Sequence, residues 1–161
     1  MVAFYRARQI GLALGFLIML PWLCYQMQTA PKALQPYPAP SFVLKSLGGY
    51  TLTYPGKQGP TLIVFSRPDD TDEERALDIK ALKYAQDNEA HCWWIGVSSS
   101  TRPILELKLS NLGYDSKGEV LAKFPCRAGA LTEWVIVDSN GAVRWCGERS
   151  QQDLKAKLTA I

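Results

Sequence analysis

The sequence has few of the nitrogen and sulfur side chains that bind metals. Its 161 residues include one histidine, His91, and four cysteines. The cysteines stand far apart, at Cys24, Cys92, Cys126 and Cys146, so that no Cys-x-x-Cys pair occurs. Structural zinc sites need clustered pairs of such ligands. We therefore predict no metal centre built from these residues.

Acidic residues are missing from the first 68 positions, which hold six basic residues, and all 15 acidic residues follow them. The net charge of +3 therefore does not describe the surface of the later part of the chain. The six basic residues are scattered over segments of different kinds. They form no dense stripe that could follow a phosphate backbone. We therefore expect no binding to nucleic acid.

One long uncharged run lies near the amino terminus, where residues 10–25 read IGLALGFLIMLPWLCY. At about 1.5 Å of rise per residue, a helix of this length nearly crosses a bilayer core, and apolar neighbours extend it. Arg6 and Arg8 precede it, which places the amino terminus in the cytoplasm by the positive-inside rule. We predict a cytoplasmic region at 1–8, a single-pass signal anchor of the inner membrane at 9–27, and a periplasmic or equivalent carboxy-terminal domain.

A cleaved signal peptide and a buried core helix are the alternatives for this run. Residues 28–30 followed by Pro31 lack the small side chain that belongs three positions before a cleavage point. Bulky residues precede Cys24, where a lipoprotein signal has small ones. We interpret Cys24 as a small apolar residue of the anchor.

Prolines are concentrated after the anchor, in the stretch PKALQPYPAP. Proline fixes its φ and has no N–H, so this composition favours extended polyproline geometry. We predict a stiff linker over 28–40 that joins neither a helix nor a sheet. The folded domain is then predicted to occupy 41–161.

Alternation and turn residues predict an α/β order within that domain. Strand-like segments on either side of Gly48-Gly49 indicate a hairpin, and the apolar runs at 61–66 and 92–98 are typical of buried central strands. A helical pattern between those runs makes a parallel β-α-β unit. A second hairpin is predicted over 132–146 and a final helix from Ser150. The segment after Ser100 fits either a helix or a strand.

An acidic block, Asp69-Asp70-Thr71-Asp72-Glu73-Glu74, separates the first central strand from the helix. Thr71 and Glu74 have the spacing of a capping box, and the other carboxylates complement the positive end of the helix dipole. A cation site formed by Asp69, Asp70 and Asp72 is the alternative. The block lacks the regular ligand spacing, the central glycine and the distal glutamate of a calcium loop.

The order of these elements resembles that of a known family, and two stretches of the sequence do as well. APSFVLKSLGGYTLTY and YDSKGEVLAKFPCRAGALTEWVIVDSNGAVRWCG resemble membrane-anchored thiol oxidoreductases of the TlpA and cytochrome c maturation type, and peroxiredoxins. The likeness covers about residues 39–161. It implies a thioredoxin-like α/β fold, with a central mixed sheet flanked by helices and an amino-terminal β-hairpin extension, behind one transmembrane helix.

The resemblance also implies where an active site would lie. In that family a Cys-x-x-Cys begins the helix after the first central strand, and a cis-proline precedes the last hairpin. Asp70, Glu73 and Thr132 stand at the matching positions here, and the peroxidatic cysteine is missing as well. We therefore expect a degenerate site without a cofactor. This favours a non-enzymatic accessory subunit or assembly factor of a membrane protein complex.

The remaining cysteines leave one redox alternative. In a thioredoxin-like fold Cys126 would precede the last hairpin and Cys146 would end it, so a disulfide between them is conceivable. An atypical thiol–disulfide oxidoreductase that uses Cys126 and Cys146 is the alternative function. Cys92 begins a buried strand and is expected to be inert, and His91 beside it lacks the third group that a metal or a Cys/His pair requires.

Overall fold

The computed structural model describes residues 35–55, 59–126, 131–149 and 156–157. They form one eight-stranded mixed sheet and one α-helix, α1, with a short 3₁₀ turn at Leu121–Lys123. The strand order across the sheet is β1-β8-β7-β4-β5-β6-β2-β3. The elements are β1 Tyr37–Pro38, β2 Phe42–Ser46, β3 Thr51–Tyr54, β4 Thr61–Ser66, α1 Asp72–Asp87, β5 His91–Gly96, β6 Asn111–Tyr114, β7 Trp134–Val137 and β8 Ala142–Gly147.

The two central strands are the predicted apolar runs. All six residues of β4 are buried, and so are five of the six in β5. The two strands are parallel, with Leu62 opposite Cys92. The predicted β-α-β unit and both hairpins, β2–β3 and β7–β8, are therefore confirmed.

Alternating side chains divide the core between the two sides of the sheet. Trp93 and Trp94 point to opposite sides, as adjacent strand residues do. We call the side that packs against α1 the helix face, and the opposite side, rich in stacked and edge-on rings, the aromatic face. The helix face includes Leu62, Val64, Ala81, Leu82, Ala85, Trp94, Trp134 and Ile136. The aromatic face includes Phe42, Tyr54, Ile63, Phe65, Trp93, Ile95, Val120, Phe124, Val135 and Cys146.

Helix α1 begins where the capping signal predicts. Thr71 Oγ1 accepts a hydrogen bond from the Glu74 backbone N–H at 3.2 Å, and Glu74 Oε2 accepts one from the Thr71 N–H at 2.7 Å. This reciprocal pair satisfies two donors that the first helical turn leaves free. The hydrogen bonds from Thr71 lower the pKa of Glu74 below its ordinary value.

The proline-rich stretch departs from its prediction. Tyr37 and Pro38 pair with β8 as a short edge strand, and the Ala39 N–H donates to Gly141 O at 2.8 Å. The expectation that no part of 28–40 joins a sheet is therefore wrong, and the ordered domain extends to the amino-terminal side of Ser41. Proline is tolerated here because an edge strand leaves one row of backbone groups unpaired.

The stretch after Ser100 is neither of the two predicted elements. Residues 102–110 are irregular, and regular structure resumes only at β6. Arg75, buried in α1, donates from Nη1 to Arg102 O at 2.6 Å, and Ile104 is fully buried on the helix face. This loop is therefore hydrogen-bonded to the Arg75 side chain of α1 and not to a helix or strand of its own.

The resemblance implies several helices beside the sheet, and the described ranges contain fewer. Within the described residues the segment after Ser100 supplies no helix, and α1 is the helix that packs on the sheet, so the expectation of several flanking helices is wrong there. Of the predicted final helix only 156–157 are described, and they are helical; the rest lies outside the described residues. The described part of the chain contains no helix long and apolar enough to cross a membrane. The predicted anchor at 9–27 and Cys24 lie outside that part.

Candidate functional site

The candidate site lies where β4 ends and α1 begins. Ser66 is the last residue of β4, and Thr71 is the N-cap of α1. Asp70 lies between them and accepts a hydrogen bond from the Arg67 N–H at 2.7 Å. Glu73 is exposed in the first turn of the helix. The structure therefore places Asp70 and Glu73 at the helix start, as the sequence predicted.

Arg149, for which no local sequence pattern predicts a role, is the centre of this site. Its side chain is only 4% exposed and contacts carboxylates from three separate parts of the chain. Nη2 donates to Asp70 at 2.5 Å, Nε donates to Asp78 at 2.9 Å, and Nη1 donates to Glu133 at 2.8 Å. We call these four residues the Arg149 cluster. Glu74 lies at its margin, 3.9 Å from Nη1.

Asp78 extends the cluster into the core of the helix face. Its side chain is fully buried and accepts hydrogen bonds from Trp134 Nε1 at 2.7 Å and Ser66 Oγ at 2.9 Å. Ser66 Oγ in turn accepts one from Trp94 Nε1 at 2.8 Å. These bonds satisfy both indole N–H groups, which would otherwise be buried without partners.

Glu133 binds Arg149 through both carboxylate oxygens. Besides the contact with Nη1, Oε2 accepts the Arg149 backbone N–H at 2.8 Å. Both backbone groups of Glu133 are also hydrogen-bonded: its N–H donates to Gly147 O, and its carbonyl accepts from the Phe65 N–H. Thr132, the predicted counterpart of the cis-proline, is half-buried beside Glu133, and its hydroxyl donates to Phe124 O at 3.5 Å.

Electrostatics keep the guanidinium of the cluster charged. Burial opposes the charge, but hydrogen bonds and attraction from Asp78, Asp70 and Glu133 raise the pKa of Arg149 above its ordinary value. For Asp78, burial raises the pKa, and the bonds from Arg149, Trp134 and Ser66 oppose that rise only in part. A buried charge is tolerated only with such partners.

The same carboxylates could be read as a metal site, but Arg149 provides their positive charge. Oxygens of Asp70, Glu74 and Glu133 lie within 4.8 Å of one another. The guanidinium donates to two of these three residues, at Asp70 and Glu133. The alternative cation site of Asp69, Asp70 and Asp72 does not form among the described residues, because Asp70 is turned to Arg149 while the other two are exposed.

The two redox candidates are joined. Cys126 and Cys146 form a disulfide, with their Cα atoms 5.3 Å apart. Cys146 is 7% exposed on the aromatic face, opposite Val135 in the sheet. It lies only three residues before Arg149.

Cys92 and His91 take no part in this site. Cys92 is buried on the helix face, and burial raises the pKa of its thiol to about 12, so that it stays protonated near neutral pH. His91 begins β5 at the other end of the sheet, beside a cavity of about 270 Å³ that Tyr54, Thr61 and Asn111 also line. The predicted burial of Cys92 is confirmed.

One signal in the sequence could have revealed Asp78. It stands four residues before Leu82 and seven before Ala85, in the buried stripe of an amphipathic helix where a carboxylate is out of place. A charge in such a stripe needs a buried partner. Nothing local points to Arg149 as that partner, because 71 residues separate the two.

Comparisons with solved structures identify the fold. The thioredoxin domain of a thiol-disulfide oxidoreductase from Bacteroides vulgatus matches at 18% identity and a TM-score of 0.59, covering 80% of this chain and 98% of that chain. A thiol-disulfide oxidoreductase from Bacteroides fragilis matches at 16% identity and 0.61, over 77% and 98%. A thioredoxin-like protein from Aeropyrum pernix matches at 16% and 0.54, over 75% and 89%.

The chain therefore has a thioredoxin-like fold, as the resemblance implied. No family model and no curated protein sequence matches it. At these identities the likeness concerns the fold alone, and the activity has to be argued from the site.

Proposed function

We propose that this chain is a membrane-anchored, thioredoxin-like binding domain that serves as an accessory subunit or assembly factor of a membrane protein complex. The observation that carries the proposal is the Arg149 cluster. It occupies the start of α1, where the resemblance to thiol oxidoreductases implies a pair of reactive cysteines. A closed ion-pair cluster there supports a role in binding and not in catalysis at this position.

The chemistry of the cluster supports this reading. Thiol–disulfide exchange needs a thiolate that attacks a sulfur and forms a mixed disulfide. Carboxylates such as those of Asp70 and Glu73 cannot form that intermediate. All three guanidinium nitrogens of Arg149 already donate to carboxylates inside the protein, so that it has little capacity left to bind an anionic substrate.

The surface around the cluster has properties that suit a protein partner. Asp69, Asp72 and Glu73 are exposed at the start of α1. Leu131, two residues before Glu133, is a large apolar side chain that is 49% exposed. Interfaces combine apolar contacts with a charged rim. A partner that offers basic side chains around an apolar pocket would fit this surface.

The amino-terminal sequence supports the location. The uncharged run and the two preceding arginines favour a single span with the domain outside the cytoplasm. A domain held at the membrane in this way meets membrane-bound partners at a high effective concentration. Fractionation of cells that express the full chain, with alkaline washing and protease digestion from outside, tests both the span and its orientation.

Site-directed photocrosslinking tests the binding role. A photoreactive amino acid is placed singly at Asp72, Glu73 or Leu131 of the full chain in its native membrane. Gln86, exposed near the far end of α1, is the matched control. We expect one protein to crosslink from the three test positions and not from the control. Equal crosslinking from all four positions, or none at all, would overturn the proposal.

An activity assay tests the alternative function. We expect the purified protein to reduce neither insulin disulfides nor peroxides. A rate that Cys126→Ser abolishes and Cys92→Ser leaves intact would instead establish an atypical oxidoreductase that uses Cys126 and Cys146. The observation that favours this second candidate is the disulfide between the two residues.

A further inference from the structure

Two segments hold Arg149, and the disulfide joins one of them to the turn at Cys126. This first segment is the end of β8, Cys146 and Gly147, with the two residues that follow it to Arg149. The other contains Glu133, whose N–H donates to Gly147 O at 3.0 Å and whose carboxylate binds the Arg149 side chain and backbone. The covalent bond and the cluster therefore both hold the end of β8.

Hydrogen bonds carry the connection from Cys126 to Glu133. Phe124 O accepts both the Cys126 N–H, at 2.9 Å, and the Thr132 hydroxyl, at 3.5 Å. Thr132 immediately precedes Glu133. The position of the turn at Cys126 therefore bears on Thr132 and, through it, on the carboxylate that binds Arg149.

The two sulfurs differ in their surroundings. Cys146 is 7% exposed inside a strand that is hydrogen-bonded to β7. Cys126 is only partly buried and lies outside any regular element, after the 3₁₀ turn. An attacking thiolate must reach one sulfur and displace the other. Of the two residues Cys126 is the less buried, so we expect a second protein to attack its Sγ.

We propose that the Cys126–Cys146 disulfide is a substrate for a dithiol protein, and that its reduction loosens the Arg149 cluster. A thiolate of the dithiol attacks Cys126 Sγ, the bond to Cys146 breaks, and Cys146 takes up a proton. The second thiol of the dithiol then displaces Cys126, which is also protonated. Two electrons pass to this chain, and the dithiol protein leaves as a disulfide.

The expected change is local. Asp70 and Asp78 are expected to keep their contacts with Arg149 after reduction, because neither is joined to the disulfide. The contact that loses its covalent support is the one between Glu133 and Arg149. This inference rests on the proposed function, since the Arg149 cluster lies beneath the surface proposed to bind the partner. Reduction of the disulfide would then change that surface.

Reduction by a protein dithiol is the first test. Oxidised full-length protein in detergent is mixed with reduced thioredoxin, then alkylated and analysed by mass spectrometry. We expect alkylation of Cys126 and Cys146, and of Cys92 only after denaturation. A thioredoxin variant without its second thiol should be trapped on Cys126. Reduction that occurs only in denaturant, or trapping on Cys146, would overturn the proposal.

Amide hydrogen exchange is the second test. The amides of Arg149 and Glu133 should exchange at least about tenfold faster after reduction, while those of Ile63 and Trp93 in the central strands stay protected. The double variant Cys126→Ser/Cys146→Ser should reproduce the reduced pattern, and the central amides report that it is folded. Unchanged exchange at Arg149 in the reduced protein would overturn the coupling.

These outcomes are separable from those of the proposed function. Crosslinking from Asp72, Glu73 and Leu131 is measured on the oxidised protein and does not depend on reduction. Loss of crosslinking with normal reduction and exchange would refute the binding role alone. Normal crosslinking with a disulfide that resists thioredoxin would refute the redox inference alone.

Discussion

The two faces of the sheet are stabilised in different ways although the same strands supply both. On the aromatic face the core is apolar, with ring pairs such as Phe42 stacked on Tyr54 at 4.9 Å, and a disulfide closes its margin. On the helix face the apolar packing surrounds a buried polar chain from Trp94 through Ser66 and Asp78 to Arg149. Truncating an apolar side chain lowers the stability roughly in proportion to the buried area that is lost. Removing one member of a buried hydrogen-bond chain leaves its neighbours without partners, so a single change can cost more.

The comparison predicts its largest effect at Asp78. Asp78→Ala should lower the free energy of unfolding by about 3–5 kcal/mol, because Trp134 Nε1 and Ser66 Oγ lose their buried acceptor and Arg149 loses one of its three carboxylates. Urea unfolding followed by tryptophan fluorescence measures this loss. Asp78→Asn, which fills the same space and keeps one acceptor oxygen for Trp134 Nε1, should cost less. A loss below about 1 kcal/mol for Asp78→Ala would show that this face is not more sensitive than its opposite.

On the aromatic face the corresponding change is removal of the disulfide. The bond spans a sequence separation of 20 residues. Opening a loop of that length, in Cys126→Ala/Cys146→Ala, should cost about 3 kcal/mol, since the unfolded chain regains its freedom. Urea unfolding of the oxidised protein and the variant measures it, with Cys92→Ala as a buried-cysteine control outside the disulfide. An unchanged urea midpoint would show that the disulfide does not stabilise this face.

A smaller effect is expected at the N-cap of α1, which begins the helix face. Thr71→Ala removes the hydroxyl of the capping box and should cost about 1 kcal/mol. Thr71→Ser retains the acceptor and should be nearly neutral. Thermal unfolding by circular dichroism distinguishes them. If both variants unfold at the same temperature, the Glu74 side of the box alone starts the helix.

The smallest effect is expected at Asp138, in the turn between β7 and β8. Burial raises its pKa, but hydrogen bonds from the Ala142 and Asn140 N–H groups and from Arg144 outweigh this and lower it below the ordinary 3.8. The stabilisation is therefore present above pH 3.8 and is lost as the pH falls through the folded-state pKa. Above pH 3.8 the protein should be more stable than Asp138→Asn by less than about 1 kcal/mol, because the Arg144 side chain is half-exposed. This difference in the free energy of unfolding should disappear in acid. An advantage that grows in acid would contradict this sign.

Much of the fold followed from local patterns. The apolar runs of β4 and β5, the capping box at Thr71 and the turn after Asp138 each depend on neighbours within a few residues in sequence. Where a pattern is ambiguous, as in 102–110, the structure shows contacts from a distant part of the chain, since Arg75 donates to Arg102 O and Pro103 O. The edge strand at Tyr37–Pro38 formed against expectation because β8 left an edge free to accept it.

The candidate site was predicted only in part. Asp70, Glu73 and Thr132 lie near the end of β4, where the resemblance implies a degenerate site, and their role there stays a prediction; the pairing of Cys126 with Cys146 is one of the alternatives that the sequence leaves open. Arg149 was missed, because its partners Asp70 and Asp78 lie 79 and 71 residues away in sequence.

By itself the sequence determined the two central strands, the two hairpins and the start of α1, because alternation, caps and turn residues act over a few positions. It also determined that the helix start has carboxylates and no thiols. Only the tertiary structure decided what those carboxylates do. The energy of a buried charge depends on the distance to its partners and on the exclusion of water, and both are set when Arg149 is folded between Asp70, Asp78 and Glu133.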